Sequence, residues 1–327
     1  MTKLTIFVNG NTIFIQKRHL LMSNPLRIIF MGTPEFAVPS LQSLVESNSN
    51  VVAVVTVPDK PAGRGQKQTA SPVKIYAESQ GIPVLQPEKL KNPAFLEELK
   101  SYNADLQVVV AFRMLPEAVW SMPSKGTFNL HSSLLPQYRG AAPINWAVIN
   151  GETETGVTTF FIEKDIDTGK IIFQDIEPIF PEDDAGTLYE RLMRKGANLV
   201  VRTVKAIQDG NYPQEPQSEP GDIKAAPKIF RETCEIDWNR PASEIHNFIR
   251  GLSPYPAAWT TLNGLSCKVF KTKPAESEGD AEPGVYHTDG KSFLHFRTAD
   301  GWLAIEELQI EGKKRMAVGD FLRGYKL

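Results

Sequence analysis

Two polar residues at a strand end carry the most suggestive chemistry in this sequence. Asn129 and His131 lie in Thr127-Phe128-Asn129-Leu130-His131, and residues two apart in a strand project from one face. An amide donor beside an imidazole suits the stabilisation of a developing oxyanion, and the imidazole can also move a proton near neutral pH. The pair equally suits a strand end whose polar groups satisfy one another, and the spacing does not choose. Asp167 follows 36 residues later in Asp165-Ile166-Asp167-Thr168-Gly169, between the apolar runs 157–162 and 171–176. Asp-Thr-Gly is good turn chemistry, and a catalytic carboxylate held on a rigid turn fits as well.

The rest of the chemistry is narrowed by what the chain lacks. Of its five histidines, only His131 falls in the region that reads as an α/β domain. No His-x-x-x-His or Cys-x-x-Cys spacing occurs, which argues against a dedicated metal site. The two cysteines, Cys234 and Cys267, make no disulfide framework, so a reducing cytoplasm is the expected home. The apolar runs 51–55 and 108–112 are far shorter than the roughly 20 residues a membrane helix needs, so no membrane association is expected. A net charge of -2 excludes a uniformly basic nucleic-acid coat and leaves room for a local patch. With 327 residues, 41% hydrophobic and 23% charged, the composition is that of a folded protein of about two domains.

These candidate residues need elements to position them. Runs 27–31, 51–57, 82–85, 106–112 and 127–131 read as strands. Helices are expected from the Gly32-Thr33-Pro34 turn to about Glu46, over 71–80 with Ser71 as N-cap, and over 92–102. Strands apolar on both faces and separated by helices predict a parallel sheet covered on both sides. The first turn lacks the Gly-x-Gly-x-x-Gly fingerprint, so this is a Rossmann-like, mostly parallel sheet without an expected dinucleotide. Asn129 and His131 then sit at the carboxyl end of a strand, where such sheets bind ligands.

The composition changes over 209–227, where Pro213, Pro216, Pro220 and Pro227 predict an extended linker. Beyond it come a short helix at 242–250 and short strands separated by Asn263-Gly264, Asp289-Gly290 and Asp300-Gly301. That pattern predicts a small C-terminal β-barrel of oligonucleotide-binding type. At the other end, runs 5–8 and 12–15 flank Asn9-Gly10, a hairpin signal. Residues 1–21 are expected to be an extension ahead of a natural start at Met22. The expected divisions are thus 1–21, 22–208, a linker at 209–228, and 229–327.

From Leu26 onward the chain resembles the methionyl-tRNA formyltransferases, a branch of the folate-dependent formyltransferase family. The resemblance rests on Asn129-x-His131, on Ser133-Leu134-Leu135-Pro136 with Arg139-Gly140 and Pro143, and on Asp167-Thr168-Gly169. It implies formyl transfer from 10-formyltetrahydrofolate, as co-substrate and with no metal, to the α-amino group of initiator methionyl-tRNA. The implied roles are oxyanion donors for Asn129 and protonated His131, and a partner and proton carrier for Asp167. Ser133, Leu134, Leu135 and Pro136 are implied to shape the folate pocket. The hallmark is shared with relatives that act on nucleotide amino sugars or other small amines, so it specifies the reaction more than the acceptor.

Acceptor choice rests on two other features. The loop Asp59-Lys60-Pro61-Ala62-Gly63-Arg64-Gly65-Gln66-Lys67 resembles the family's tRNA-reading insertion, with Lys60, Arg64 and Lys67 as implied tRNA contacts. Four cations face one carboxylate between Asp59 and Lys74, which suits phosphate approach and equally suits a solvated loop. The second feature is the C-terminal domain, where Glu311-Gly312-Lys313-Lys314-Arg315-Met316 resembles the family's terminal motif. Its 15 Lys and Arg from Asp222 onward balance 15 Asp and Glu, so any tRNA contact there is a patch. A monomer is expected. Two departures stand out: Ala111-Phe112-Arg113-Met114-Leu115-Pro116 is one residue shorter than the family's Ala-Tyr-Gly-x-x-Leu-Pro form, and Ser132 replaces a common Gly.

Overall fold

The computed structural model describes residues 4–8, 11–15, 25–62, 67–218, 221–276 and 281–327. Strands β1 (Leu4–Val8) and β2 (Asn11–Ile15) pair antiparallel in a sheet of their own, as the hairpin signal predicts. The Asn9-Gly10 turn lies outside the described residues.

Strand β3 (Ile28–Gly32) is buried throughout because its alternation feeds two cores. Ile28 and Phe30 join one core, and Ile29 and Met31 join the other. Helix α1 (Val38–Glu46) covers the first core with Leu41 and Leu44. Strand β4 (Val51–Val55) runs parallel to β3 and divides in the same way, with Val54 on one side and Ala53 and Val55 on the other. A short hairpin follows, β5 (Lys60–Ala62) with β6 (Lys67–Thr69). Helix α2 (Pro72–Ser79) then starts as its sequence predicts, with the Ser71 side chain accepting the Lys74 N–H and Pro72 in the first turn.

Strand β7 (Val84–Leu85) and helix α3 (Pro93–Ser101) lead to β8 (Leu106–Val110), and α4 (Glu117–Trp120) leads to β9 (Thr127–His131). After β10 (Arg139–Gly140) and α5 (Pro143–Ile149), the strands β11 (Glu154–Phe161) and β12 (Ile171–Pro178) form an antiparallel edge. The sheet order is β12-β11-β9-β8-β3-β4-β7, and β9, β8, β3, β4 and β7 are mutually parallel. The chain moves outward from β3 in both directions, so the order reverses between β3 and β8, and ligands of such sheets bind beyond that point. Phe128 and Leu130 point into the first core, so Asn129 and His131 project from the opposite face.

Helix α6 (Ala185–Asp209) has no counterpart among the elements assigned from sequence, though Leu188, Leu192, Leu199, Val200 and Ile207 form its buried stripe. It lies close over β9 because residue 196 is Gly, where a Cβ would come within 2.6 Å of Leu130.

Past helix α6, the described residues of the segment expected as a linker are extended but docked. Its prolines remove N–H groups and forbid a helix, yet its remaining amides and carbonyls still need partners. Glu215 exchanges backbone hydrogen bonds with Ile171, and β13 (Ala225–Ala226) pairs in parallel with β10. Beyond it, α7 (Ala242–Leu252) packs Ile245, Ile249 and Leu252 into a third core. That core is closed by the antiparallel strands β14 (Ala258–Leu262), β15 (Leu265–Ala275), β16 (Tyr286–Thr288), β17 (Leu294–Arg297) and β18 (Trp302–Ile310). Register shifts in β15 between Val269 and Thr272 bend the sheet, giving the expected barrel in half-barrel form. A short β19 (Met316–Ala317) pairs with β18, and α8 (Val318–Gly324) ends the chain's regular structure. Among the described residues no helix is long and apolar enough to cross a membrane.

Candidate active site

Asn129, His131 and Asp167 line one cavity of about 1010 Å³ at the carboxyl ends of β8 and β9. Asn129 borders this cavity, and among the described residues its side-chain amide has no hydrogen-bond partner. His131 is buried and fixed from behind, with Nε2 2.8 Å from the carbonyl oxygen of Tyr138. A carbonyl only accepts, so Nε2 carries a proton and Nδ1 is the nitrogen left available. Nδ1 stands 3.9 Å from Asp167 Oδ2.

Tyr138 can aim its carbonyl backward because its backbone is left-handed, with φ +60, and its N–H donates to Lys224 O. Its hydroxyl donates to Glu152, which also takes Lys224 Nζ at 2.6 Å. Burial, reinforced by the Glu152 carboxylate, pushes the Tyr138 phenol well above its ordinary pKa. That hydroxyl is therefore a structural group.

Asp167 sits at φ +55 in the turn between β11 and β12, a conformation Asp tolerates better than most residues. The Gly140 N–H donates to its Oδ2 at 3.0 Å. Gly140 itself has φ +126, and a Cβ there would fall 2.5 Å from Ala226 O. Only Gly lets β10 approach β13 while aiming its N–H at Asp167.

Ser133, Leu134, Leu135 and Pro136, expected to shape the folate pocket, are not among the residues bordering this cavity. Ser133 is fully buried and donates to Gln137 O. The Leu135 N–H donates to Thr158 Oγ1, Leu135 O accepts from Gln174, and the Leu135–Pro136 bond is cis. Leu134 packs toward Gly156. Ser133 and Leu135 are turned away from the cavity into the protein interior, while Leu134 and Pro136 stay partly exposed. The apolar wall is supplied by Phe112, Trp120 and Ile162 instead. In the shortened 111–116 segment, Arg113 donates to the carbonyls of Pro87 and Glu88 and lies over the Phe112 ring at 5.5 Å, fastening the segment to the neighbouring loop.

The cationic loop is placed only at its base. Lys60 is exposed at the start of β5, and the β5–β6 pairing ends with Ala62 opposite Lys67. Arg64 lies outside the described residues, and Lys67 is placed only by its backbone. Lys74, counted with the loop's cations, is paired: its Nζ is 2.6 Å from Asp59 Oδ2, and Asp59 also accepts from Gln86 at 2.7 Å. The Lys74 and Gln86 hydrogen bonds hold the Asp59 carboxyl below its ordinary pKa. The Tyr138 carbonyl and Gly140 N–H escaped sequence reasoning because backbone groups leave no residue signature. Gln217, whose amide touches both site loops, escaped it because it sits in a proline-rich stretch.

Known proteins share this architecture. The family model described as formyl transferase matches residues 26–204, and that described as formyl transferase, C-terminal domain, matches residues 228–326. A protein of Parabacteroides distasonis named methionyl-tRNA formyltransferase is 57% identical over 311 residues, covering 92% of this chain and 96% of that protein. A Bacteroides fragilis protein of the same name is 54% identical over 310 residues, with the same shares. Among solved structures, the sugar 3N-formyl transferase WlaRD, crystallised with dTDP and 5-N-formyl-THF, matches with TM-score 0.64 at 22% identity, over 88% of this chain and 99% of its own. HypX from Aquifex aeolicus in complex with tetrahydrofolic acid matches with TM-score 0.60 at 19% identity, over 92% of this chain. This chain spans 48% of the HypX chain.

Proposed function

This chain belongs to the formyl transferase family, and on that premise we propose that it moves a formyl group from 10-formyltetrahydrofolate to the α-amino group of initiator methionyl-tRNA. The observation that carries the chemistry is the convergence of Asn129, His131 and Asp167 on one cavity. Its volume suits a folate-sized co-substrate, and Phe112, Trp120 and Ile162 offer an apolar wall for flat rings. The acceptor is chosen by the high identity to proteins named for methionyl-tRNA over nearly the whole chain. Sugar-acting relatives share the fold alone.

In the transfer, the amine lone pair forms the new C–N bond while the carbonyl pair moves onto oxygen. Its return breaks the bond to the donor nitrogen, which gains a proton as the amine loses one. The Asn129 amide and a protonated His131 Nδ1 donate to the oxygen as charge develops, each worth about 3–4 kcal/mol in sites of this kind. The Tyr138 carbonyl keeps the Nε2 proton in place, so proton exchange is confined to the nitrogen facing the cavity. Asp167 stabilises the imidazolium and takes the amine proton, directly or through water.

Residues 22–208 carry this chemistry, 209–228 join the halves, and 229–327 face the tRNA. Lys60, Arg64 and Lys67 meet the acceptor end, while Ser133, Leu134, Leu135 and Pro136 support the folate pocket from behind. The protein acts as a cytoplasmic monomer and needs no metal. Incubation with 10-formyltetrahydrofolate and charged initiator tRNA should yield formyl-methionyl-tRNA. Formylation of a nucleotide amino sugar instead, with the tRNA untouched, overturns the acceptor.

A further inference from the structure

The two loops that carry the site's anchoring groups are joined by one side chain of the interdomain segment. Gln217 Oε1 accepts from Arg139 Nε at 3.1 Å and Nη2 at 2.7 Å. Gln217 Nε2 donates to Asp167 O at 2.8 Å and Gly169 O at 2.9 Å. Both amide hydrogens and both acceptor sites are thereby used. On one side of this link stands Arg139-Gly140, whose glycine N–H holds Asp167 Oδ2; on the other stands the Asp167 turn itself. The segment around Gln217 is not free to drift, because Glu215 is bonded to Ile171 and Ala225–Ala226 is paired with Arg139–Gly140.

We propose that Gln217 is a positioning residue that sets the Asp167 carboxylate against His131 by tying the Asp167 turn to the Arg139 loop. It touches neither substrate nor reacting atoms, and it acts through Asp167. Asp167 needs such a tie because its backbone is left-handed and its carboxylate stands 3.9 Å from Nδ1, a separation that a small turn movement would lengthen. The proposal rests on the catalytic reading of Asp167.

The test uses the full-length protein, with 10-formyltetrahydrofolate and charged initiator tRNA as substrates. Gln217→Leu removes both halves of the link, and Gln217→Glu keeps the Arg139 half while losing the donors to Asp167 and Gly169. Both should lower kcat about tenfold or more, with KM for the formyl donor within about twofold and melting temperature unchanged. Repeated in an Asp167→Ala background, Gln217→Leu should cost less than about twofold, because the group it positions is already gone. Full turnover in both single variants overturns the proposal, as does an equal loss in both backgrounds or a loss tracking a lower melting temperature. If Asp167→Ala itself keeps full turnover, the catalytic reading of Asp167 fails first, and the two failures are distinguished.

Discussion

His131 Nε2 lies 2.8 Å from the carbonyl oxygen of Tyr138, so the backbone of the loop that follows β9 decides which imidazole nitrogen is left unengaged by it. That carbonyl is turned inward by a left-handed Tyr138 and held there by the bond from its N–H to Lys224. The proton on Nε2 is structural, and Nδ1 faces Asp167 and the cavity.

Loss of any of the three converging side chains should therefore be costly. Asn129→Ala, His131→Ala and Asp167→Ala should each reduce turnover by about a hundredfold or more, the scale of losing an oxyanion donor or an acid–base group. Their melting temperatures should stay near that of the parent protein, since all three border open space. Steady-state kinetics with calorimetry checks this, and near-normal turnover in any variant removes that residue's role.

Gly140→Ala should do damage of another kind. The new methyl group would meet Ala226 O at 2.5 Å, in a backbone conformation that L residues avoid. Separation of β10 from β13 should cost about 1–3 kcal/mol and displace the N–H that holds Asp167. Stability and kcat should fall together. A variant with parental stability and activity would mean the interdomain segment bears no load on the site.

Acid should loosen the α6 edge of the sheet through one arginine. Glu177 and Asp183 are largely buried, and that burial raises their pKa values. Hydrogen bonds and charge from Arg191, with Lys195 on Glu177, outweigh it and leave both below the ordinary carboxylate range. Groups with depressed pKa values in the folded state stabilise it above their unfolded pKa and lose that contribution as pH falls through the folded value. Stability should thus decline below about pH 4–5. Arg191→Met should cost about 3 kcal/mol at pH 7, because buried Asp183 loses its cation and Glu177 keeps only Lys195. The deficit should narrow at acidic pH, where both carboxylates protonate; a pH-independent deficit would place the effect in packing instead.

The legible parts of this molecule are those where one side chain announces one role. The alternation of Ile28 to Met31, the Ser71 cap and the Asn129-x-His131 pair all follow from local pattern. The docking of Glu215, Gln217 and Ala225–Ala226 is not legible in the sequence, because prolines signal what a segment cannot form and say nothing of what it lies against. Helix α6 is amphipathic, but its apolar stripe is diluted by the charged residues of its exposed face and does not stand out in the sequence. The site's backbone contributors, Tyr138 O and Gly140 N–H, depend on left-handed turns that their residue types permit without requiring. Ser133 and Leu135 belong to a recognisable motif, but their burial is not something the motif announces.

Arg64 offers the sharpest test of what accepts the formyl group. The strands on either side pair as far as Ala62 opposite Lys67, and the hairpin's base is held by Asp59 through Lys74 and Gln86. Between them the sequence is Gly63-Arg64-Gly65-Gln66, with one guanidinium between two glycines. A guanidinium binds phosphate in bidentate fashion or stacks on an unpaired base, and an ammonium does neither. Arg64→Ala should therefore weaken use of charged initiator tRNA by about tenfold or more while leaving folate binding intact, and Arg64→Lys should recover only part of the loss. The parent reaction should also slow with added salt, as phosphate contacts are screened. Kinetics on both variants, with folate affinity measured separately, decides the matter. Unchanged tRNA kinetics would point to a small amine as acceptor, whereas lost folate binding would place this loop against the formyl donor.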